Sequence, residues 1–440
     1  MTRSPATGTG RSVTADAPGR RRRLRTAREI ALQTTLRASS GALLSRELGR
    51  ALDRSHVSPR DRSLITDLVY GAVRWRIWLD AALAPRLRNP DGLPGDVVDA
   101  LRLGSFEKLI RGTPPHAAVD AWVGIVGRRH PRLAGLANAV LRRVEPPVDP
   151  SPATRASLPT WLWERLASAL GDDAERAADA MRTPSPLWLV AFAAEARASL
   201  EDDGCEVASG PVEGTLRVRP SRRLGDLEAF REGLVQPQNP ASHIVAEMLG
   251  AGRGDRVLDL CSGRGVKAAG LAARGAAVEA IELSASKVDQ ARRNLARLGL
   301  EVDHRVADLR EPPAGVQPAP YVLLDAPCSG TGTLRGHPEI PLRLGPGDVD
   351  ALAASQDRLL DTAAALTDSG GVLVYAVCAL TPEEGPGRID AFLSRHPAFD
   401  PEAVDPPVQA RPAGAGTFIL PLDGLDGFFV ARLRRREVVS

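Results

Sequence analysis

The chain has 440 residues, 43% hydrophobic and 25% charged, with a formal net charge of +3. That length supports about two or three domains with cores of their own, and no apolar run approaches bilayer-spanning length, which excludes a helical membrane protein. The four cysteines (Cys205, Cys261, Cys328 and Cys378) lie far apart with no Cys-x-x-Cys pair. This excludes a zinc knuckle or a dense disulfide framework, so no metal is expected and the setting expected is reducing and cytoplasmic.

In chain order, residues 1–25 hold seven Arg and one Asp and lack the apolar core of a secretory signal. They are expected to be a disordered basic tail, with the Arg-rich, acid-poor composition of an organellar transit peptide as the other reading. Residues 26–145 carry nineteen basic and twelve acidic residues, and 146–440 sum to −10. In 26–145, "AREIALQTTLRA", "RSLITDLVYGAVRWRIWLDAALA" and "LAGLANAVLRRV" space apolar residues by three and four, which predicts an all-helical domain. A basic front on an acidic body suggests a polyanion partner such as nucleic acid, beside the plainer reading of a solvated charged surface. "EPPVDPSPAT", with four prolines, reads as a linker. Residues 155–235 are predicted to form a small α+β module, with helices at "LPTWLWERLASAL" and "ERAADAMR" and strands at "LWLVAFAA" and "TLRVRP". From 236 to 436, β-rich runs ("RVLDL", "AAVEAIEL", "YVLLDAP", "GVLVYAVC", "GFFVARLRR") alternate with amphipathic helices. That pattern predicts a doubly wound α/β sheet whose ligand lies beyond the carboxyl ends of its central strands.

The chemistry-bearing residues fall at those ends. "VLDLCSGRGVKAA" sets Asp259, Cys261, Ser262, Gly263, Arg264, Gly265 and Lys267 on a strand-to-helix turn, where glycines allow a ligand to approach the backbone. Glu282 closes the next strand, where a carboxylate can accept from both hydroxyls of a ribose, so a nucleoside cofactor is expected. The loop is not GxGxxG. It resembles motif I of class I S-adenosylmethionine methyltransferases, a likeness that makes S-adenosyl-L-methionine the expected cofactor and places Asp308 at adenine. The chain has three lysines (Lys108, Lys267 and Lys287) against 54 arginines. A Lys at 267 therefore points to a need for a compact ammonium.

Asp325-Ala326-Pro327-Cys328 at the fourth strand is matched by Tyr375-Ala376-Val377-Cys378 at the fifth, so two thiols and a carboxylate should face one crevice. Each cysteine alone would read as a small core thiol. Together with a methyl donor they suit carbon 5 of a pyrimidine, which becomes nucleophilic only after a thiolate adds to carbon 6. Asp325 is placed to recognise cytosine and to stabilise that adduct.

"DAPCSGTG", "HPEI", "YAVCALTPEE" and "DGFFVARLRR" resemble the RNA cytosine-5 methyltransferases of the Sun/NOL/NOP family. "SPRDRSLITDLVYGAVRWRIWLD" and "LRLGSFEKLIRGTPPHAAVDAWVG" resemble the NusB-like domain that precedes the enzyme in the bacterial small-subunit (16S) rRNA cytosine-5 methyltransferase B group. The resemblance implies a multidomain chain with an all-α NusB-like domain, a small α+β module and a Rossmann-like methyltransferase domain. It further implies that Cys378 is the nucleophile, that Cys328 assists release, that Asp325 and Lys267 share the catalytic centre, and that 16S rRNA is the partner; a monomer is expected, though not from the resemblance. The chain departs from the family loop Cys-Ala-Ala-Pro-Gly-Gly-Lys-Thr at Arg264, Val266 and Ala268, and it has Val-Cys-Ala in place of Thr-Cys-Ser around Cys378. Two other readings stand beside this one: a catalytically weak RNA-binding or ribosome assembly factor, and the same chemistry on tRNA or another RNA.

Overall fold

The structure is a computed structural model that describes residues 26–39, 43–55 and 57–437. The tail 1–25 lies outside the described residues. Among the described residues, seven α-helices make the front of the chain: Ala27–Ser39, Leu44–Asp53, Pro59–Arg74, Arg76–Leu83, Gly95–Leu109, Pro115–Arg129 and Ala134–Arg143. Local chemistry sets their ends. Ser58 accepts a hydrogen bond from the Asp61 amide at 3.1 Å and Pro59 opens the helix, a common N-terminal arrangement. Lys108 donates to the carbonyls of Leu141, Arg142 and Val144 at 2.9–3.0 Å, closing the end of the last helix. The apolar stripes meet in a core of their own around Ile65, Leu68, Leu101 and Trp122. At its edge Glu107 is fully buried and accepts from Arg28, Trp122 and Thr113.

Past the linker come helices Pro152–Ala156, Thr160–Leu170 and Ala174–Met181. The sequence reading assigns the latter two to a 155–235 module, and the packing corrects this. Leu162, Leu166, Leu170, Ala177 and Met181 share one core with Leu258, Leu324 and Tyr375 of the large sheet. The small module is α+β, with an antiparallel sheet of β1 (Leu187–Ala191), β2 (Glu206–Ser209), β3 (Thr215–Arg219) and β4 (Val235–Pro237), in order β2-β3-β1-β4, and the helices Ala196–Asp202 and Glu228–Arg231. It buries Leu189, Leu200, Leu216 and Leu227.

The large sheet contains β5 (Arg256–Leu260), β6 (Ala277–Glu282), β7 (Asp303–Val306), β8 (Ala319–Asp325), β9 (Thr367–Val377), β10 (Phe399–Glu402), β11 (Ala410–Ala413), β12 (Gly416–Ile419) and β13 (Phe428–Arg435). Its order is β11-β12-β13-β9-β8-β5-β6-β7, with β10 pairing with β13. The β7-β6-β5-β8-β9 portion is parallel, and β13 joins β9 antiparallel. Alternation along the strands loads both faces. Val322, Leu324, Leu373, Tyr375 and Val377 enter one core, and Leu323, Val372, Val374 and Ala376 the other. This is the multidomain, Rossmann-like architecture expected from the sequence, with an antiparallel β10–β13 extension that the sequence reading did not resolve beyond its final strand. The order reverses between β5 and β8, so the crevice opens where β5, β8 and β9 end. No helix among the described residues is long and apolar enough to cross a membrane.

Candidate active site

After β5 the backbone turns sharply. Cys261 adopts a left-handed conformation (φ 61°), as do Gly263 (φ 60°) and Gly265 (φ 73°), and the helix Val266–Ala273 follows. A Cβ on Gly265 would lie 3.0 Å from the Ala291 Cβ, so the glycine is what lets this turn pack on the helix Ala285–Leu298. A Cβ on Gly263 would meet only the Cys261 carbonyl, at 3.9 Å, so the outer edge of the loop is open to a ligand. The Ser262 hydroxyl is buried with no partner. Burial, reinforced by the Glu282 charge, pushes the Cys261 thiol up to about 12, which makes it a poor nucleophile. Arg264 is exposed.

Asp259 is completely buried beneath this loop, and neither of its oxygens receives a well-formed hydrogen bond. Burial, and next the charge of Asp325, push its carboxyl up to about 7; Lys267 and the pull of the Ala268 amide oppose this. Glu282 accepts from the amides of Gly263 (3.0 Å) and Ser284 (2.9 Å) and from Lys287 Nζ (3.2 Å). It thereby ties the loop to the end of β6 and keeps acceptor capacity for one further donor. Asp308 lies exposed beyond β7, where Arg310 holds it through its amide and guanidinium and draws its carboxyl down to about 2.

At the centre of the crevice Lys267 Nζ lies 2.5 Å from Asp325 Oδ2 and 5.3 Å from the Phe428 ring centroid. Burial disfavours the ammonium, yet Asp325 outweighs it, and the Lys267 pKa is raised; Asp259 and Cys378 add to the effect. Cys328 and Cys378, fifty residues apart in sequence, have their Sγ atoms at 3.3 Å. The hydrogen bond with Cys378 is the largest influence on the Cys328 thiol. Together with burial and the charges of Cys378 and Glu384, it raises that thiol well above its ordinary value. The sequence-predicted residues thus fall into two groups. Lys267 pairs with Asp325 and Cys328 with Cys378, and Asp259, Cys261, Ser262, Gly263, Gly265 and Glu282 form the adjoining loop and its anchor. Asp308 stands at the edge, engaged by Arg310. Sequence reasoning missed the buried Glu384, Gln356 and Thr331 behind the cysteines and the Phe428 ring beside Lys267. Glu384, Phe428 and Thr331 lay within the "TPEE", "DGFF" and "DAPCSGTG" stretches, quoted as motifs without roles for them; Gln356 lay in none of these.

A parallel β7-β6-β5-β8-β9 sheet with a glycine loop after its first strand and an acidic residue ending the second defines a class I methyltransferase domain. Residues 246–434 match the family model described as 16S rRNA methyltransferase RsmB/F, and residues 25–146 match that of the NusB family. The chain is 45% identical over 410 residues to the ribosomal RNA small subunit methyltransferase B of Thermus thermophilus, covering 93% of this chain and 98% of that protein. It is 32% identical over 424 residues to the protein of the same name from Pseudomonas syringae pv. tomato, covering 90% and 93%. The crystal structure of PH0851 superposes with a TM-score of 0.78 at 23% identity, over 93% of this chain and 98% of that one, and so shares the fold. The chain belongs to the ribosomal RNA small subunit methyltransferase B family.

Proposed function

We propose that this protein methylates carbon 5 of a cytosine in 16S rRNA through a transient bond between Cys378 and carbon 6 of the base. The observation that carries this reading is the meeting of two thiols at 3.3 Å, beside a Lys267–Asp325 pair at 2.5 Å, where β5, β8 and β9 end. S-adenosyl-L-methionine supplies the electrophilic methyl group. The loop Cys261–Gly265 fits this donor. Its edge is open at Gly263, its Ser262 hydroxyl is unspent, and Glu282 can still accept from a ribose hydroxyl.

Cys378 Sγ, as the thiolate, adds to carbon 6, and the electron density this pushes onto N3 and carbon 5 is stabilised by the Lys267–Asp325 pair. Asp325 accepts from the exocyclic amine, which selects cytosine. Carbon 5 then takes the methyl group, with S-adenosylhomocysteine as the leaving group; water accepts the carbon 5 proton as the carbon 6–sulfur bond breaks, and expulsion of Cys378 as the thiolate restores the aromatic ring. One asymmetry supports this division of labour: the Glu384 charge acts on Cys328 and disfavours its thiolate. The basic helical unit, residues 26–145, supplies cations for the phosphates of an RNA whose target cytosine is single-stranded or flipped out.

The test is transfer of labelled methyl from S-adenosylmethionine to undermodified 16S rRNA carrying tritium at cytosine carbon 5. The unmodified protein releases tritium in step with methylation. Cys378→Ala forms neither adduct nor product, and Cys328→Ala accumulates a covalent protein–RNA complex. Absence of transfer by the unmodified protein would favour an RNA-binding factor, and an adduct surviving Cys378→Ala would reverse the cysteine roles.

A further inference from the structure

The register between β8 and β9 ends at Asp325 and Ala376, before either cysteine. Cys328 and Cys378 therefore sit on separate loops, and something beyond the sheet must hold their sulfurs together. Two backbone hydrogen bonds help: Ala326 N to Ala376 O and Gly332 N to Cys378 O, each 2.9 Å. The larger tie is a side chain. Glu384 is fully buried, and its carboxylate gathers donors from three directions. Oε1 accepts from the Ser329 amide at 2.8 Å and from Gln356 Nε2 at 3.1 Å. Oε2 accepts from the Ser329 hydroxyl at 2.5 Å and the Thr381 hydroxyl at 3.0 Å. Gln356, on the helix Pro346–Ala365, also donates to the Pro327 carbonyl at 2.9 Å. The Glu384 carbonyl accepts from the Tyr375 hydroxyl at 2.8 Å. Residues on both sides of Cys328 and the loop that follows Cys378 are thus pinned to one carboxylate.

The structure assigns Glu384 as the positioning residue that sets Cys328 against Cys378. It touches neither sulfur and acts through Ser329, the immediate neighbour of Cys328, and Thr381, three residues past Cys378. Its charge has a second effect in the same place, reinforcing the protonated state of Cys328. The assignment of a catalytic consequence rests on the adduct-and-release reading above. The geometric assignment does not depend on it.

The substitutions separate positioning from mere stability. Glu384→Ala removes every tie. Glu384→Gln keeps the clamp, because its oxygen can face the Ser329 amide and Gln356 while its amide donates to the two hydroxyls, which reverse their roles and accept. Thr381→Val removes a single donor without changing shape and stands in where Glu384→Ala fails to fold.

The first readout is geometric and independent of RNA. Diamide takes two electrons and two protons from paired thiols, is itself reduced to the hydrazine, and leaves a Cys328–Cys378 disulfide that peptide mass spectrometry measures. We expect cross-linking to slow about tenfold or more in Glu384→Ala, to slow in the same direction in Thr381→Val, and to stay within about threefold of the unmodified protein in Glu384→Gln. The second readout is turnover. Glu384→Ala lowers kcat by up to about 100-fold with KM little changed and raises the ratio of trapped adduct to released product, a ratio that does not depend on how much enzyme is folded. Cross-linking of folded Glu384→Ala at the unmodified rate, or no recovery in Glu384→Gln, would overturn the assignment. Slowed cross-linking together with an adduct-free Cys328→Ala would uphold the positioning role and overturn the covalent reading instead.

Discussion

Asp259 offers the sharpest quantitative test, because its carboxyl is fully buried under the cofactor loop with a value pushed from 3.8 up to about 7 by burial and by Asp325. A carboxyl raised in the folded state stabilises the fold below its unfolded value, and that contribution is lost as pH rises through the folded value. Asp259→Asn cannot ionise and keeps the neutral shape, so it should gain on the unmodified protein as pH rises. Between pH 5 and pH 8 the linkage relation with these two values gives about 2–3 kcal/mol. For a domain of this size that is a change of about 5–10 °C in the gap between the two melting midpoints. Thermal melts of both proteins at several pH values, read as the difference between them, cancel every other titrating group. A gap that stays flat from pH 5 to pH 8, or moves against the variant, would mean that Asp259 is ionised in the fold and that Lys267 outweighs its burial.

Substitutions at three other positions have definite outcomes. Asp325→Ala should abolish methyl transfer and also remove most of the pH-dependent gap seen with Asp259→Asn, because Lys267 then claims Asp259 as its counter-charge; a persisting gap would separate the two carboxyls. A Cβ on Gly332 would lie 2.0 Å from the Gly427 carbonyl, so Gly332→Ala should pry the catalytic loop from β13 and lower transfer by about tenfold or more. Calorimetry should still register binding of S-adenosylmethionine in that variant, since the cofactor loop is untouched. Lys108→Met strips the cap from three carbonyls and should cost the helical unit about 1–3 kcal/mol in a circular-dichroism melt. Lys108→Arg should recover only part of it, since a planar fork cannot reach three converging oxygens as an ammonium does.

How much of this was legible in the sequence depended on whether a residue's role is local. The strands ending in Asp325 and Val377 announce themselves because burial on both faces makes them continuous apolar runs, and a doubly wound order brings their ends together. The scarcity of lysine was equally readable. Lys108 caps a helix, Lys267 pairs with Asp325, and Lys287 reaches Glu282, each a task for a compact charge. The helices Thr160–Leu170 and Ala174–Met181 show why other features were hidden. An amphipathic stripe declares that one face is buried and is silent on the partner, which proved to be the large sheet. The strands "FDPE" and "ARPA" carry prolines and little apolar signal, as edge positions allow. Glu384 lay within the quoted "YAVCALTPEE" motif without a role; only the fold reveals that Ser329, Gln356 and Thr381 converge on it.

The placement of the helical unit gives its charge a mechanical meaning. Arg74, at the end of the helix Pro59–Arg74, donates from Nη2 to the Arg335 carbonyl at 2.8 Å, and the Arg182 guanidinium lies 4.5 Å from the Trp75 ring centroid. Arg335 is itself buried and donates to the Thr183 hydroxyl and, at 3.0 Å, to the Pro421 carbonyl. Burial, with Arg335 adding its like charge, pushes Arg74 down to about 10. A buried and a half-buried guanidinium near one another, bonded to backbone carbonyls, are a poor source of stability, and an apolar interface would hold two domains as well or better. What they provide is register. Arg335 lies seven residues after Cys328, so the basic helical unit is bonded to the segment leading away from that cysteine. On the proposed reading, an RNA bound by residues 26–145 would be held in a fixed relation to the loop that carries Cys328.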